Sequence, residues 1–416
     1  MQYRVDDQLV LLCMPKEGPV GPLAPYLPRF AQWLREQAYT RCYLRRRVML
    51  AACFSRWLKG RGVPLRRVTS EHASRYLRER YRDRQIAEGD AAALDQIVEL
   101  LRTRGIIPKP KCSSPPASST ERCIQRYEQY LREDRALATA TIIHYVPFII
   151  DFLKDRFGCR PVELSSLRAA DVVRFVQSRA PRLHVKRAKL MTTALRSFFG
   201  YARLVGEVTL DLAAAVPTVA SWSMTSIPRA IAPEQTQKLL ASIDRKSAAG
   251  RRDYAILLLL ARLGLRAGEV AGLELNDIDW GASQLTVRGK AGRRTGLPLP
   301  ADVGRAIAAY LHQGRTPCSS RRVFLRIKAP MRALQGTGAV SSIVRRRLLR
   351  AKITAPTYGA HQFRHGLASD MLRQGASLAE IGAVLGHQHP DTTRIYTKID
   401  LKALHGLAQP WPGGMR

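Results

Sequence analysis

His361-Gln362-Phe363-Arg364-His365-Gly366 opens one helical segment, Leu385-Gly386-His387 closes the next, and Asp391-Thr392-Thr393-Arg394-Ile395-Tyr396 follows directly. His361 and Arg364 stand one turn apart, so they share a helix face. Working outward, apolar spacing places helices at residues 302–312, 341–351, 361–373 and 377–385, and Pro233-Glu234 opens another. Residues 253–263 are apolar on most faces and read as a buried helix. Residues 284–287 read as a strand, 289–296 as a glycine-rich turn, and 297–299 as the returning strand. Two more short segments stand out: Gly264-Leu265-Arg266-Ala267-Gly268-Glu269 after the buried helix, and Gly289-Lys290-Ala291-Gly292 at the hairpin tip. Singly, each has an ordinary explanation. An arginine at a helix start caps or faces solvent, a lysine in a glycine turn is solvated, and a tyrosine near a chain end packs its ring and wets its hydroxyl. Their weight lies in occurring together and in this order.

Residues 105–119, rich in Pro, Lys and Ser, cannot continue a helix, and residues 217–233, bounded by prolines, lack helical periodicity; both read as linkers. They divide the chain into a first piece (1–104), a second (120–216), a third (233–408) and a short tail (409–416). The first two echo one another. Phe30, Trp33 and Leu34 are repeated as Tyr127, Tyr130 and Leu131; Phe54, Trp57 and Leu58 as Ile149, Phe152 and Leu153; and Ser74-Arg75-Tyr76-Leu77 as Val173-Arg174-Phe175-Val176. Spacing of i, i+3, i+4 makes each a small helical bundle, either a duplication or two amphipathic bundles of independent origin.

The charge narrows the partner. Lys and Arg number 68 against 33 acidic residues, a formal net charge of +35. Self-repulsion on that scale opposes a compact state, so a polyanion is the natural counterpart, with nucleic acid first because binding phosphates releases condensed counterions. Arginine inflation from a GC-rich genome is the bland alternative. Seven cysteines (Cys13, Cys42, Cys53, Cys112, Cys123, Cys159, Cys318) are scattered singly, which argues against a disulfide framework or a zinc site and fits a reducing cytosol. No stretch has the length and apolarity of a membrane span or signal segment.

Taken in order, the segments resemble the signature of the tyrosine recombinase family, which includes phage integrases and Xer proteins: Arg in G-L-R-x-x-E, Lys on a β-hairpin, H-x-x-R, then L-G-H with T-T-x-x-Y. The match runs from about Arg266 to Tyr396 at the family's intervals. It implies a mainly α chain with a small β-hairpin or sheet: helical core-binding (SAM-like) bundles, then a mixed α+β catalytic domain, together a clamp on DNA. It also implies a catalytic set of Arg266, Lys290, His361, Arg364, His387 and Tyr396, with no cofactor and no metal. Two guanidiniums, Arg266 and Arg364, would stabilise charge on the non-bridging oxygens of a five-coordinate phosphorus. Tyr396 would be the nucleophile, leaving a 3′-phosphotyrosine and a free 5′-hydroxyl. Its phenol is inert at an ordinary pKa of about 10 and needs help to lose its proton. Lys290 would protonate the departing oxygen, His361 would assist proton transfer from the tyrosine, and His387 would hydrogen-bond the phosphate. The hairpin departs from the family's G-K-G-x-K-x-R; Lys290 keeps the interval from Arg266, while Arg293 and Arg294 stay charged and cannot serve as acids. His365 and His389 are read as non-catalytic neighbours.

The resemblance further implies double-stranded recombination sites as partners, a homotetramer (a dimer per site) exchanging strands through a Holliday junction, no membrane, partner recombinases, and a bacterial cytoplasmic, nucleoid-associated location. Length and basicity tilt the reading towards a mobile-element integrase or transposase over a host dimer resolvase. A type IB topoisomerase and a catalytically silent DNA-binding protein are the alternatives. The 1–104 extension is open between a DNA grip and a subunit contact. The leucine stripe Leu401, Leu404, Leu407 is open between packing on its own domain and docking on a neighbour.

Overall fold

The computed structural model describes residues 18–82, 87, 89–108, 118–220, 229–289, 294–387 and 389–399. The chain divides into two compact units, Met1–Lys109 with Ser226–Arg416, and Pro110–Thr225. Both divisions fall within the stretches read as linkers.

The second unit is a four-helix bundle: α5 (Ser119–Glu133), α6 (Thr139–Phe157), α7 (Ala169–Arg179) and α8 (Val185–Leu204). Ser118 starts it by accepting the Glu121 N–H (3.1 Å) while Glu121 accepts the Ser118 N–H (2.8 Å), a reciprocal cap. Tyr127, Leu131, Ile149, Phe152, Phe175, Leu195 and Phe198 form its core. The first unit begins with a bundle of the same plan: α1 (Leu27–Glu36), α2 (Arg41–Gly60), α3 (Ser70–Arg80) and α4 (Asp90–Thr103). The echoed residues do the same work in both. Phe30 and Leu34 are buried as Tyr127 and Leu131 are, Leu58 as Leu153, and Tyr76 and Leu77 as Phe175 and Val176. A 3-10 turn, Leu65–Arg67, leads into α3 as Leu164–Ser166 leads into α7. Within this unit the bundle touches the C-terminal part, where the Met331 N–H donates to the Gln37 carbonyl at 3.1 Å.

That C-terminal part is built around α10 (Ala248–Arg262), whose residues from Ala255 to Leu260 are all buried. It packs against α9 (Pro233–Ala241), α11 (Ala267–Gly272), α12 (Ala301–Gln313), α13 (Gly336–Arg350) and α14 (His361–Arg373). With neighbours on nearly every side, an unbroken apolar run from Ala255 to Leu260 is the stable choice, each buried leucine contributing about 1.5–3 kcal/mol. Charge enters this core as a hydrogen-bonded network. The fully buried Asp253 carboxylate accepts from Arg252 (2.6 Å) and Arg347 (2.7 Å), tying α10 to α13.

The expected hairpin, β2 with β3, is part of a small sheet. Three antiparallel strands run in the order β1 (Ile278–Asp279), β2 (Gln284–Arg288), β3 (Arg294–Pro298). The ladder extends to the pair Arg288–Arg294, and Gly296, read as part of the turn, pairs with Thr286. A glycine without a side chain costs the strand some entropy but leaves its backbone pairing unhindered. The two-residue β1 was too short to show a period. Leu285 and Val287 face the core, and Leu297 pairs with Leu285.

After α14 come α15 (Leu378–Leu385), the short α16 (Pro390–Thr393) and a 3-10 run, Arg394–Ile399. Ser377 caps α15 with Glu380 as Ser118 does α5. These elements enclose a separate small core of Ala368, Ile381, Leu385 and Tyr396. The leucine stripe at Leu401, Leu404 and Leu407 lies outside the described residues. Among the described residues no helix is long and apolar enough to cross a membrane.

Candidate active site

The site begins where α10 ends. Gly264 turns the chain with φ +59°, a left-handed conformation that favours glycine, and its carbonyl accepts Arg364 Nη1 at 2.8 Å. Arg364 Nη2 donates to the Leu385 carbonyl at the end of α15. Thus a guanidinium that is only 3% exposed is fixed between two helix C-termini, where carbonyl dipoles favour a cation. Burial, and then the charge of Arg266, bring its pKa down to about 10, so it remains charged at neutral pH.

Arg266 precedes α11. Its backbone N–H donates to Glu269 Oε2 (2.7 Å) and its Nη1 to Oε1 (2.8 Å). One carboxylate therefore holds both ends of the residue, while the arginine side chain keeps 45% of its surface exposed. Glu269 also eases the repulsion between the two arginines. The glutamate of G-L-R-x-x-E thus has a mechanical task.

His387 follows Gly386, whose φ of +61° ends α15 in a left-handed cap. Its N–H donates to the Gly382 carbonyl (2.9 Å), and its Nδ1 lies 2.7 Å from the Thr393 hydroxyl. Burial first, then the positive charges of Arg364 and Arg266, push the imidazole down to about 4. It is neutral at pH 7. In the tautomer whose Nδ1 accepts from the Thr393 hydroxyl, Nε2 carries the proton and donates.

Arg266, Glu269, Gly289, Arg364, His387 and Thr392 line one cleft of about 460 Å³. Gly289 follows directly after β2. Lys290 lies outside the described residues. Exposed His389 also borders the cleft.

Tyr396 is 1% exposed, seated in the small core between α14 and α15. Its hydroxyl lies 2.9 Å from His365 Nδ1. Burial pushes the phenol up to about 12, and Arg364 pulls against that rise. His361 packs edge-on against His365, ring centroids 4.4 Å apart. His365, read from the sequence as a neighbour without a role, is therefore the histidine on the tyrosine. Its signal was available in part: His361 and His365 stand at i, i+4, on one face of α14. Thr393 and Glu269, which orient His387 and Arg266, were visible only as letters of the motifs. Among the described residues no group of three or more His, Cys, Asp or Glu is placed to hold a metal ion.

Residues 229–402 match the model of the phage integrase family, and residues 124–206 that of the phage integrase N-terminal SAM-like domain. The chain is 53% identical to a putative integrase/recombinase, y4rA, of Sinorhizobium fredii (strain NBRC 101917 / NGR234), over 99% of each protein. In fold it is similar to the XerH site-specific recombinase bound to a palindromic difH substrate (TM-score 0.55, 18% identity, 84% of this chain and 99% of that one). It is likewise similar to a lambda integrase dimer bound to a COC' core site (TM-score 0.50, 16% identity, 73% and 86%).

Proposed function

The chain belongs to the phage integrase family of tyrosine-type site-specific recombinases, and we propose that it cuts and rejoins DNA through a covalent bond to Tyr396. What carries this reading is the convergence of Arg266, Arg364 and His387, from three separate segments, on one cleft, with the Tyr396 hydroxyl close enough for Arg364 to act on its acidity. Two fixed guanidiniums and a neutral imidazole donor match a phosphate whose non-bridging oxygens gain charge as phosphorus becomes five-coordinate. Donors already fixed by Gly264, Leu385, Glu269 and Thr393 need not reorganise when that charge appears.

In this mechanism the Tyr396 oxygen attacks phosphorus, the bond to the 5′-oxygen breaks, and the chain is joined to the DNA 3′ end. Lys290, on the hairpin whose residue Gly289 borders the cleft, protonates the leaving oxygen. His361 assists proton transfer from the tyrosine. The phosphotyrosine conserves the energy of the phosphodiester, so a second 5′-hydroxyl reseals the strand without a nucleotide cofactor. The reading extends to two protomers per recombination site, as in the lambda integrase dimer on its core site, and to four per synapse exchanging strands through a Holliday junction. The similarity to y4rA supports a mobile-element integrase. Residues 120–216 serve as the core-binding bundle, which the SAM-like match supports, and residues 1–104 as a second copy of it, which the matched cores support.

The test uses a duplex nicked near the cleavage point, from which the released fragment diffuses away and traps the intermediate. The full-length protein forms a covalent adduct; Tyr396→Phe binds the duplex and forms none. An undiminished adduct in that variant refutes the assignment.

A further inference from the structure

We propose that His365 is the general base that takes the phenolic proton of Tyr396; the inference rests on the recombinase reading above. The first observation is reach. Nδ1 of His365 lies 2.9 Å from the tyrosine hydroxyl, within the range required of a group that removes that proton. The second is the state of the other candidates around the cleft. Glu269 has both carboxylate oxygens engaged by Arg266. His387 has its Nδ1 on Thr393 and is held neutral by burial and then by the arginines, which makes it a poor proton acceptor. Arg266 and Arg364 have no acceptor to offer.

The third observation is the seat. The Tyr396 ring is enclosed by Ala368, Ile381 and Leu385, so its hydroxyl is shielded from bulk water that would otherwise take the proton. His365 is partly exposed, which gives the accepted proton a route to solvent. Tyr396, from the 3-10 run after α16, and His361, one turn earlier on α14, both face His365, with the Arg364 charge adjacent in sequence. His361 assists through this ring contact, while His365 is the group that reaches the hydroxyl.

The step balances as follows. The Tyr396 O–H bond breaks and its proton bonds to Nδ1 of His365. The phenolic oxygen bonds to phosphorus as the bond from phosphorus to the 5′-oxygen breaks, and that oxygen takes a proton from the acid assigned to Lys290. On resealing, the incoming 5′-hydroxyl returns its proton to that acid and His365 gives its proton back to the phenolate. A phenol pushed up to about 12 does not ionise before the reaction, so proton transfer accompanies attack.

The experiment follows single-turnover adduct formation by the full-length protein on a nicked duplex whose site is recovered from a randomised duplex pool by covalent capture. Two substrates are compared, one natural and one with sulfur replacing the 5′-bridging oxygen, a leaving group that needs no acid. His365→Ala is expected to slow the adduct on both by about 10²–10³-fold with DNA binding retained. His365→Asn, which keeps a hydrogen-bond acceptor but cannot hold a proton, stays slow, while Lys290→Ala recovers on the sulfur substrate. A wild-type or faster rate in His365→Ala, full rescue by Asn, or recovery of the His365 variants on sulfur overturns the proposal. If the Ala variant fails to fold, the Asn and Gln variants decide the same question. An adduct that survives Tyr396→Phe overturns the recombinase reading instead, so the two failures are distinguishable.

Discussion

His387 illustrates how one residue reports its surroundings. In an unfolded chain its imidazole would titrate near 6.5, whereas in the folded protein burial and two arginines push it down to about 4. Between those values the unfolded chain takes up a proton that the folded one refuses. Stability is therefore highest above pH 6.5, falls as the pH drops towards 4, and levels off below it. Because the ring is only partly buried, solvent screening reduces the effect to about 1–2 kcal/mol. Urea unfolding at pH 7 and pH 4 checks this: His387→Gln should lose about 1–2 kcal/mol less than the parent over that interval. An identical loss in both would mean that the ring is not desolvated. Arg364 shows the complementary case. Its guanidinium is more deeply buried, but two carbonyls receive it and it stays charged.

At the scale of elements, the site depends on how helices end. Gly264 stops α10 in a left-handed turn, and the carbonyl so exposed is half of the Arg364 clamp; the end of α15 supplies the other half. A β-carbon on Gly264 would stand 2.8 Å from Leu385 Cδ2 and 3.0 Å from Leu367 Cδ2. Both are side-chain tips that can yield, so the main cost is the backbone conformation, about 1–2 kcal/mol. Gly264→Ala should lower stability by that amount in urea and slow adduct formation by more than the stability change explains, because the carbonyl under Arg364 shifts. A variant that is less stable but cuts at the parent rate would show that the clamp tolerates displacement.

Across the whole molecule, the two bundles share a plan but differ in charge. Residues 18–108 carry 18 basic and 8 acidic residues, against 16 and 10 in residues 118–216. The extension is the more basic copy, and Arg66, Arg67 and Arg78 on it are exposed. If these meet phosphate, replacing all three with glutamine in the full chain should flatten the plot of log affinity against log salt by about 0.9 for each phosphate no longer neutralised. An unchanged slope and affinity would make the extension a protein-binding bundle.

The sequence alone determined the mainly helical fold, the buried α10, the paired bundles, and a candidate set including Arg266, Arg364, His387 and Tyr396. Those features are periodic, or sit in motifs short enough to be read in one dimension. The extra strand β1 was too brief to have a period, and the ladder ran through a glycine that local preference assigns to a turn. The approach of His365 to Tyr396 could be decided only in three dimensions. Spacing puts His365 and His361 on one face of α14, but a chain 31 residues further on returns to that face because Ile381, Leu385 and Tyr396 bury one another there. Burial is a property of the packed whole. It raises the tyrosine's pKa, lowers that of His387, and brings a histidine with no recognised role against the nucleophile.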